Sequence, residues 1–128
     1  MICLIFLKGD AMKYEVLGVY LVDFQKNKGG ELSGKHYGLI LSKMSDKDKT
    51  LLVAPMTSKK KSKKYKGGFT IDCTKYQQNP TYKKAFIKIR KIREIDIRRI
   101  YGSKRYTLDE EDTEKLKKSM YQVFKFLK

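Results

Sequence analysis

The sequence predicts a mainly β domain, about five strands in a curled antiparallel sheet, with a single helix at its C-terminus. Three observations predict it. Apolar runs are short and bounded by glycine, proline or polar turns. Residues 85–92 alternate apolar and basic side chains with a period of two. Only the stretch after Thr107 repeats its apolar residues at helical spacing. At 128 residues the chain holds one domain with one modest core.

The elements follow in order. The apolar run Ile2–Leu7 is too short to span a membrane, and neither a charged region before it nor a small-residue cleavage site after it marks a signal peptide. Lys8-Gly9-Asp10 can be encoded by a purine-rich run resembling a bacterial ribosome-binding site. Translation is therefore expected to start at Met12, leaving 1–11 as a non-native extension and 12–128 as the domain. Val16–Phe24 reads as a long first strand, and Gln25–Lys35 as a polar, glycine-containing loop long enough to be functional. Tyr37–Leu41 is a second, buried strand. After the polar turn Lys43–Lys49, Thr50–Ala54 is a third strand ending at Pro55.

Met56–Gly68 is lysine-rich and reads as an exposed loop leaving through Gly67-Gly68. Phe69–Asp72 is a short strand, and Tyr76–Lys84 a polar connection. In Ala85–Ile92 the isoleucines Ile87, Ile89 and Ile92 take one face, with Lys88 and Arg90 on the other. Ile95–Ile100 reads as a linker or helical turn. Thr107 and Glu110 make a capping-box pattern, and Asp109, Glu111 and Asp112 add negative charge to the first helical turn. Leu116, Met120, Val123, Phe124 and Leu127 then line one face.

Charge carries the functional signal. Thirty Lys and Arg stand against 14 Asp and Glu, a net of +16. Residues 58–106 hold 17 of the basic and 3 of the acidic groups, so one segment carries almost the whole field. Such a field attracts polyanions, whereas charge serving solubility alone would be spread over both signs and the whole surface. Two cysteines, Cys3 and Cys73, give neither a disulfide framework nor a zinc-ligand set, which fits a reducing cytoplasm. Cys73 reads as a small core residue. One histidine and scattered carboxylates offer no metal-ligand cluster, so no metal and no cofactor is expected.

Four segments resemble the MazF/PemK (Kid) family of toxin–antitoxin ribonucleases. Gly18-Val-Tyr20 with Val22-Asp23-Phe24 is similar to the family's opening strand. Gly30-Glu31-Leu32-Ser33-Gly34-Lys35-His36-Tyr37, followed by Gly38–Ser42, is similar to its Gly-x-Glu-x-x-Gly-x-Arg-Pro loop and apolar strand. Val53-Ala54-Pro55-Met56-Thr57-Ser58 matches its Val-x-Pro-hydrophobic-Thr-Ser. Lys91–Asp96 is a weaker match to Gln-x-Arg-Thr-hydrophobic-Asp. The resemblance implies an SH3-like small barrel (CcdB/Kid/MazF-like) in a bacterial, cytoplasmic homodimer. It implies sequence-specific, metal-independent cleavage of single-stranded mRNA, and inhibition by an acidic antitoxin that occupies the basic groove.

Cleaving RNA with its own 2′-hydroxyl requires a base near that hydroxyl, an acid near the leaving oxygen, and donors for the phosphorane charge. The family uses an Arg and a Thr. Here the Thr is Thr57, the Arg position is occupied by His36, and the following Pro by Tyr37. Histidine titrates near neutrality and serves as a general acid or base. His36, Thr57 and Arg90 are therefore the catalytic candidates. Lys35, Ser58, Lys59, Lys60, Lys61, Tyr65, Lys88 and Arg93 are the RNA-binding candidates, with Tyr65 and Tyr82 available for stacking.

Each candidate has a plainer role beside it. His36 could be incidental to its loop, Thr57 could cap the turn after Pro55, and Lys88 and Arg90 could be a solvated strand face. Arg93 could pair with Asp96 or Glu31. Two other functions use the same features: a non-catalytic RNA- or DNA-binding barrel, and a gyrase-poison-like toxin of the same fold. The concentrated basic field fits a polyanion better than a protein target.

Overall fold

Residues 14–127 are described by the structure, a computed structural model. The expected extension 1–11 and the start at Met12 lie outside them. Strand β1 (Gly18–Asp23) and strand β2 (Lys35–Ile40) form an antiparallel hairpin, with Val22 opposite His36 and Leu21 opposite Tyr37. Strand β3 (Thr50–Ser58) continues the meander, followed by β4 (Gly68–Asp72), β5 (Lys84–Lys88), β6 (Arg93–Asp96) and β7 (Ile100–Thr107). Helix α1 (Glu110–Val123) closes the domain. The strand order is β4-β5-β3-β2-β1-β7, with β6 also on β3, and every pairing is antiparallel.

Four expectations change. The sheet is curled but open: its path ends at β4 and β7, which do not pair with each other, so the barrel is not closed. β3 does not stop at Pro55 but runs on through Ser58, because Met56, Thr57 and Ser58 pair with Ile87, Phe86 and Ala85 of β5. Pro55, which has no amide hydrogen, sits where one edge of β3 passes from β6 to β5. The alternating run breaks after Lys88 into a 3₁₀ turn at Ile89–Lys91. The stretch read as a linker contributes to β6, a 3₁₀ turn at Ile97–Arg99 and β7.

The helix start also differs from the capping-box reading. Thr107 ends β7, and Asp109 is the N-cap, its side chain accepting from the Asp112 amide at 2.9 Å. Glu110, Glu111 and Asp112 do occupy the first turn, where their charge complements the helix dipole. Leu116 is buried, and Met120, Val123 and Phe124 pack on the core beside it. Leu127 lies beyond the helix in a 3₁₀ turn and is exposed.

Alternation sends the strands' apolar residues to two cores. Val19, Leu39, Ala54, Met56, Ile71, Cys73, Ile87 and Ile89 join Leu116 of α1 in the first. Tyr20, Val22, Phe24, Ile40, Leu51, Val53, Ile95 and Ile100 form the second, on the sheet's other side. Cys73 is a buried core residue, and burial pushes its thiol above the ordinary cysteine range.

Candidate functional site

The loop between β1 and β2 positions the first lip of the site. Asn27 organises it: its side-chain amide donates to the carbonyls of Phe24 (2.9 Å) and Leu32 (2.6 Å), and its backbone amide donates to Ser33 Oγ at 2.9 Å. Gly34 takes a positive φ of 84°, which glycine adopts without strain, and returns the chain into β2. His36 follows, half-buried, its ring edge-on to Phe24 with centroids 6.2 Å apart. Its Nε2 lies 2.8 Å from the Ser33 carbonyl oxygen. A carbonyl oxygen only accepts, so Nε2 carries the hydrogen and Nδ1 is the nitrogen left for proton exchange.

The second lip comes from β3. Pairing between β2 and β3 stops at Gly38 opposite Pro55. Beyond that point residues 35–37 and 56–58 face each other across an open cleft of about 390 Å³. Lys35, His36 and Tyr37 line one side, Met56, Thr57 and Ser58 the other, with Leu21, Thr81 and Tyr82 completing it. Because the lips are strand edges rather than strand faces, sequence neighbours line the same cleft. Tyr37 steadies the segment across it, its hydroxyl 3.2 Å from Thr81 Oγ1 and its ring edge-on to Tyr82 at 6.2 Å. The Lys35 ammonium lies 4.8 Å from the centre of the Tyr101 ring, a cation–π contact.

His36, Thr57, Lys35 and Ser58 are thus brought together. The other candidates lie elsewhere. Lys59, Lys60 and Lys61 line a neighbouring cavity of about 410 Å³ with Lys63, Lys83 and Lys84, and Tyr82 belongs to both cavities. Tyr65, Lys88 and Arg90 line a third, of about 320 Å³, with Lys64 and Lys66. Arg90 does not line the cleft; its side chain crosses Gly67, where an added Cβ would fall 2.4 Å from Arg90 Cδ. Lys88 is half-buried there, and burial, with Lys91 and Lys63 nearby, holds its ammonium below the ordinary lysine range.

Two candidates have other partners than expected. Arg93 does not pair with Asp96 or Glu31. It donates to the Phe24 carbonyl at 3.2 Å and stands over the Phe24 ring, while Asp96 takes Arg98. Tyr65 has partners within the chain: its ring lies 5.1 Å from that of Phe86, and its hydroxyl donates to Ser58 O and accepts from the Lys60 amide. It staples the lysine loop to its own base. Sequence reasoning missed Thr81, Lys83, Lys84 and Tyr101, which come from segments with no periodic signal. Only the general excess of lysine hints at Lys83 and Lys84.

Chemically, the cleft combines an imidazole, two hydroxyls and an ammonium in a strongly positive surround, a set suited to a phosphodiester. Among the described residues no three His, Cys, Asp or Glu side chains converge as metal ligands. None of the described helices is long and apolar enough to cross a membrane.

Comparison with known proteins bears on the chain as a whole. A family profile described as PemK-like, MazF-like toxin of type II toxin–antitoxin system matches residues 15–124. A crystal structure of MazF (Form-I) from Deinococcus radiodurans superposes with a TM-score of 0.64 at 12% identity, covering 88% of this chain and 96% of that one. No curated protein matches in sequence.

Proposed function

The chain belongs to the PemK-like, MazF-like toxins of type II toxin–antitoxin systems, and from that premise we propose that it is an endoribonuclease cutting single-stranded RNA in the cleft between β2 and β3, without a metal. The observation that carries this reading is the convergence of the chain's one histidine with Thr57, Ser58 and Lys35 on facing strand edges.

The roles follow from the chemistry. Nδ1 of His36 takes the proton from the 2′-hydroxyl, which attacks the adjacent phosphorus. The bond from phosphorus to the 5′-oxygen breaks, that oxygen takes a proton from solvent water, and the His36 imidazolium returns its proton to solvent. The products are a 2′,3′-cyclic phosphate and a 5′-hydroxyl. Thr57 and Ser58 donate to the phosphate oxygens as charge builds, and Lys35, held by Tyr101, neutralises it. Arg90, the third catalytic candidate, lies outside the cleft with Lys88 and Arg93. In this reading those three act through their field, raising the local concentration of RNA. The same field is complementary to an acidic antitoxin segment, and the family resemblance adds a homodimer.

The test is incubation of the purified protein with a long single-stranded RNA in EDTA, beside His36→Ala and Thr57→Ala. The expected outcome is discrete fragments ending in 2′,3′-cyclic phosphate, with each variant slowed by about a hundredfold or more. The hydrogen bond from His36 to Ser33 favours a second reading, in which the histidine is structural and the chain binds RNA without cutting it. RNA that stays intact but is retained by the protein would establish that reading instead.

A further inference from the structure

The lysine loop between β3 and β4 divides the basic surface, and its two sides are not equivalent. On the side of the cleft, Lys59, Lys60, Lys61, Lys63, Lys83 and Lys84 surround one cavity. None of these six forms an ion pair among the described residues, and no carboxylate lines the cavity. Six ammonium groups so placed repel one another, and one small anion cannot neutralise them all; a chain of phosphates can. Tyr82 is half-buried and lines both this cavity and the cleft, so its ring stands at the passage from one to the other.

The far side of the loop has comparable charge, but its cavity shares no lining residue with the cleft. Its aromatic, Tyr65, is occupied by Phe86 and by the backbone at Ser58 and Lys60. An acidic peptide would be served by either side; a nucleic acid strand already seated in the cleft meets an aromatic ring continuous with the next set of lysines only on the first, where Tyr82 lines both cavities.

We propose that this cavity is the subsite for nucleotides flanking the scissile bond: the RNA strand leaves the cleft across Tyr82, stacks a base there, and lays its phosphates on Lys59, Lys60 and Lys61. The proposal rests on the reading of the cleft as an RNA site. It assigns the flanking segment to one side of the loop, and it makes substrate length a determinant of affinity.

The experiment uses the full chain and an uncleavable probe, RNA with 2′-deoxy substitutions, as a short oligonucleotide filling only the cleft and a longer one reaching past it. Affinity is read by fluorescence anisotropy across a salt series. The wild type is expected to bind the longer probe at least about tenfold more tightly. The Lys59→Gln/Lys60→Gln/Lys61→Gln variant should lose that advantage, with a salt slope shallower by about 2, while binding the short probe as before. Tyr82→Ala should weaken the longer probe by about tenfold, and Tyr82→Phe should restore it.

In cleavage assays the triple variant should raise KM for long RNA and leave kcat unchanged. Lys64→Gln/Lys66→Gln is the control and should leave the length dependence intact. The proposal is overturned if the longer probe binds no better than the short one, or if the Lys64/Lys66 variant rather than the triple variant abolishes the difference. It is also overturned if the triple variant loses an acidic peptide but keeps the long probe. Binding is read without cleavage, so a wild type that fails to cut RNA removes the catalytic reading while the anisotropy still decides the subsite.

Discussion

Asp112 is a carboxylate only 1% exposed, and a buried charge is tolerated only when its oxygens are satisfied. Tyr76 donates to it at 2.5 Å and accepts from the Asp109 amide at 3.0 Å; Lys75 reaches Asp109 at 2.8 Å and Asp112 at 3.3 Å. The Tyr76 ring stacks on Tyr106 with centroids 4.6 Å apart. Burial, then the Asp112 carboxylate, pushes the Tyr76 phenol above its ordinary range, so it stays a donor at physiological pH. Tyr76→Phe keeps the stack but removes one bond to a buried charge, and should cost about 1.5–3 kcal/mol in urea denaturation. RNA binding should be unchanged, since Tyr76 lines neither the cleft nor the lysine cavity. A loss below about 0.5 kcal/mol would mean that Lys75 and Lys115 satisfy Asp112 without the phenol.

At the scale of elements, β4 and β5 approach closely because Gly68 lies against the Ile87 carbonyl. An added Cβ would fall 1.9 Å from that oxygen, and backbone cannot yield as a side-chain tip can. Gly68→Ala should therefore destabilise the domain by about 1–3 kcal/mol, read as a lowered Tm, and loosen the base of the lysine loop. Among the elements, β1, β2, the main part of β3, β4, β5 and the helix were legible because their apolar residues follow a period and are flanked by turn residues. β6 was not: Arg93-Glu94-Ile95-Asp96 buries only Ile95. β7 was not either, since Gly102 to Arg105 bulge from the ladder with β1 and stay exposed. Pro55 reads as a stop, yet it lies inside a strand, at a change of partner that no local signal marks.

The candidate site was legible in part, and by other signals. His36 and Thr57 were singled out by resemblance and then found on facing lips, while Arg90 was singled out by charge and lies in another cavity. Composition cannot show that the Tyr65 ring packs beside Phe86 and that its hydroxyl holds the lysine loop.

For the whole molecule, acid stability is set by carboxylates that hold turns and caps. Arg98 holds the Asp96 carboxyl down to about 2, and Lys75 with the Asp112 amide lowers that of Asp109. A carboxyl whose folded pKa is depressed contributes stability that is fully present above its unfolded value and lost as pH falls through the folded one. Stability should therefore hold down to about pH 4 and fall between about 4 and 2. Asp96→Asn, which keeps an acceptor for the Arg98 amide, should flatten part of that decline in thermal melts followed against pH. An unchanged slope would show that this exposed pair contributes nothing measurable.

The order of the strands has a mechanical consequence. β2, β1 and β7 hang from one edge of β3, and β5 and β4 from the other edge further along, so the backbone ladder of the two half-sheets is continuous only through β3. The cleft opens beside that strand just past Pro55. The cleft is therefore a seam between two half-sheets joined through a single strand, and side chains carry the join that the ladder lacks: Val19 and Leu39 of one half share a core with Ile71 and Ile87 of the other and with Leu116 of the helix.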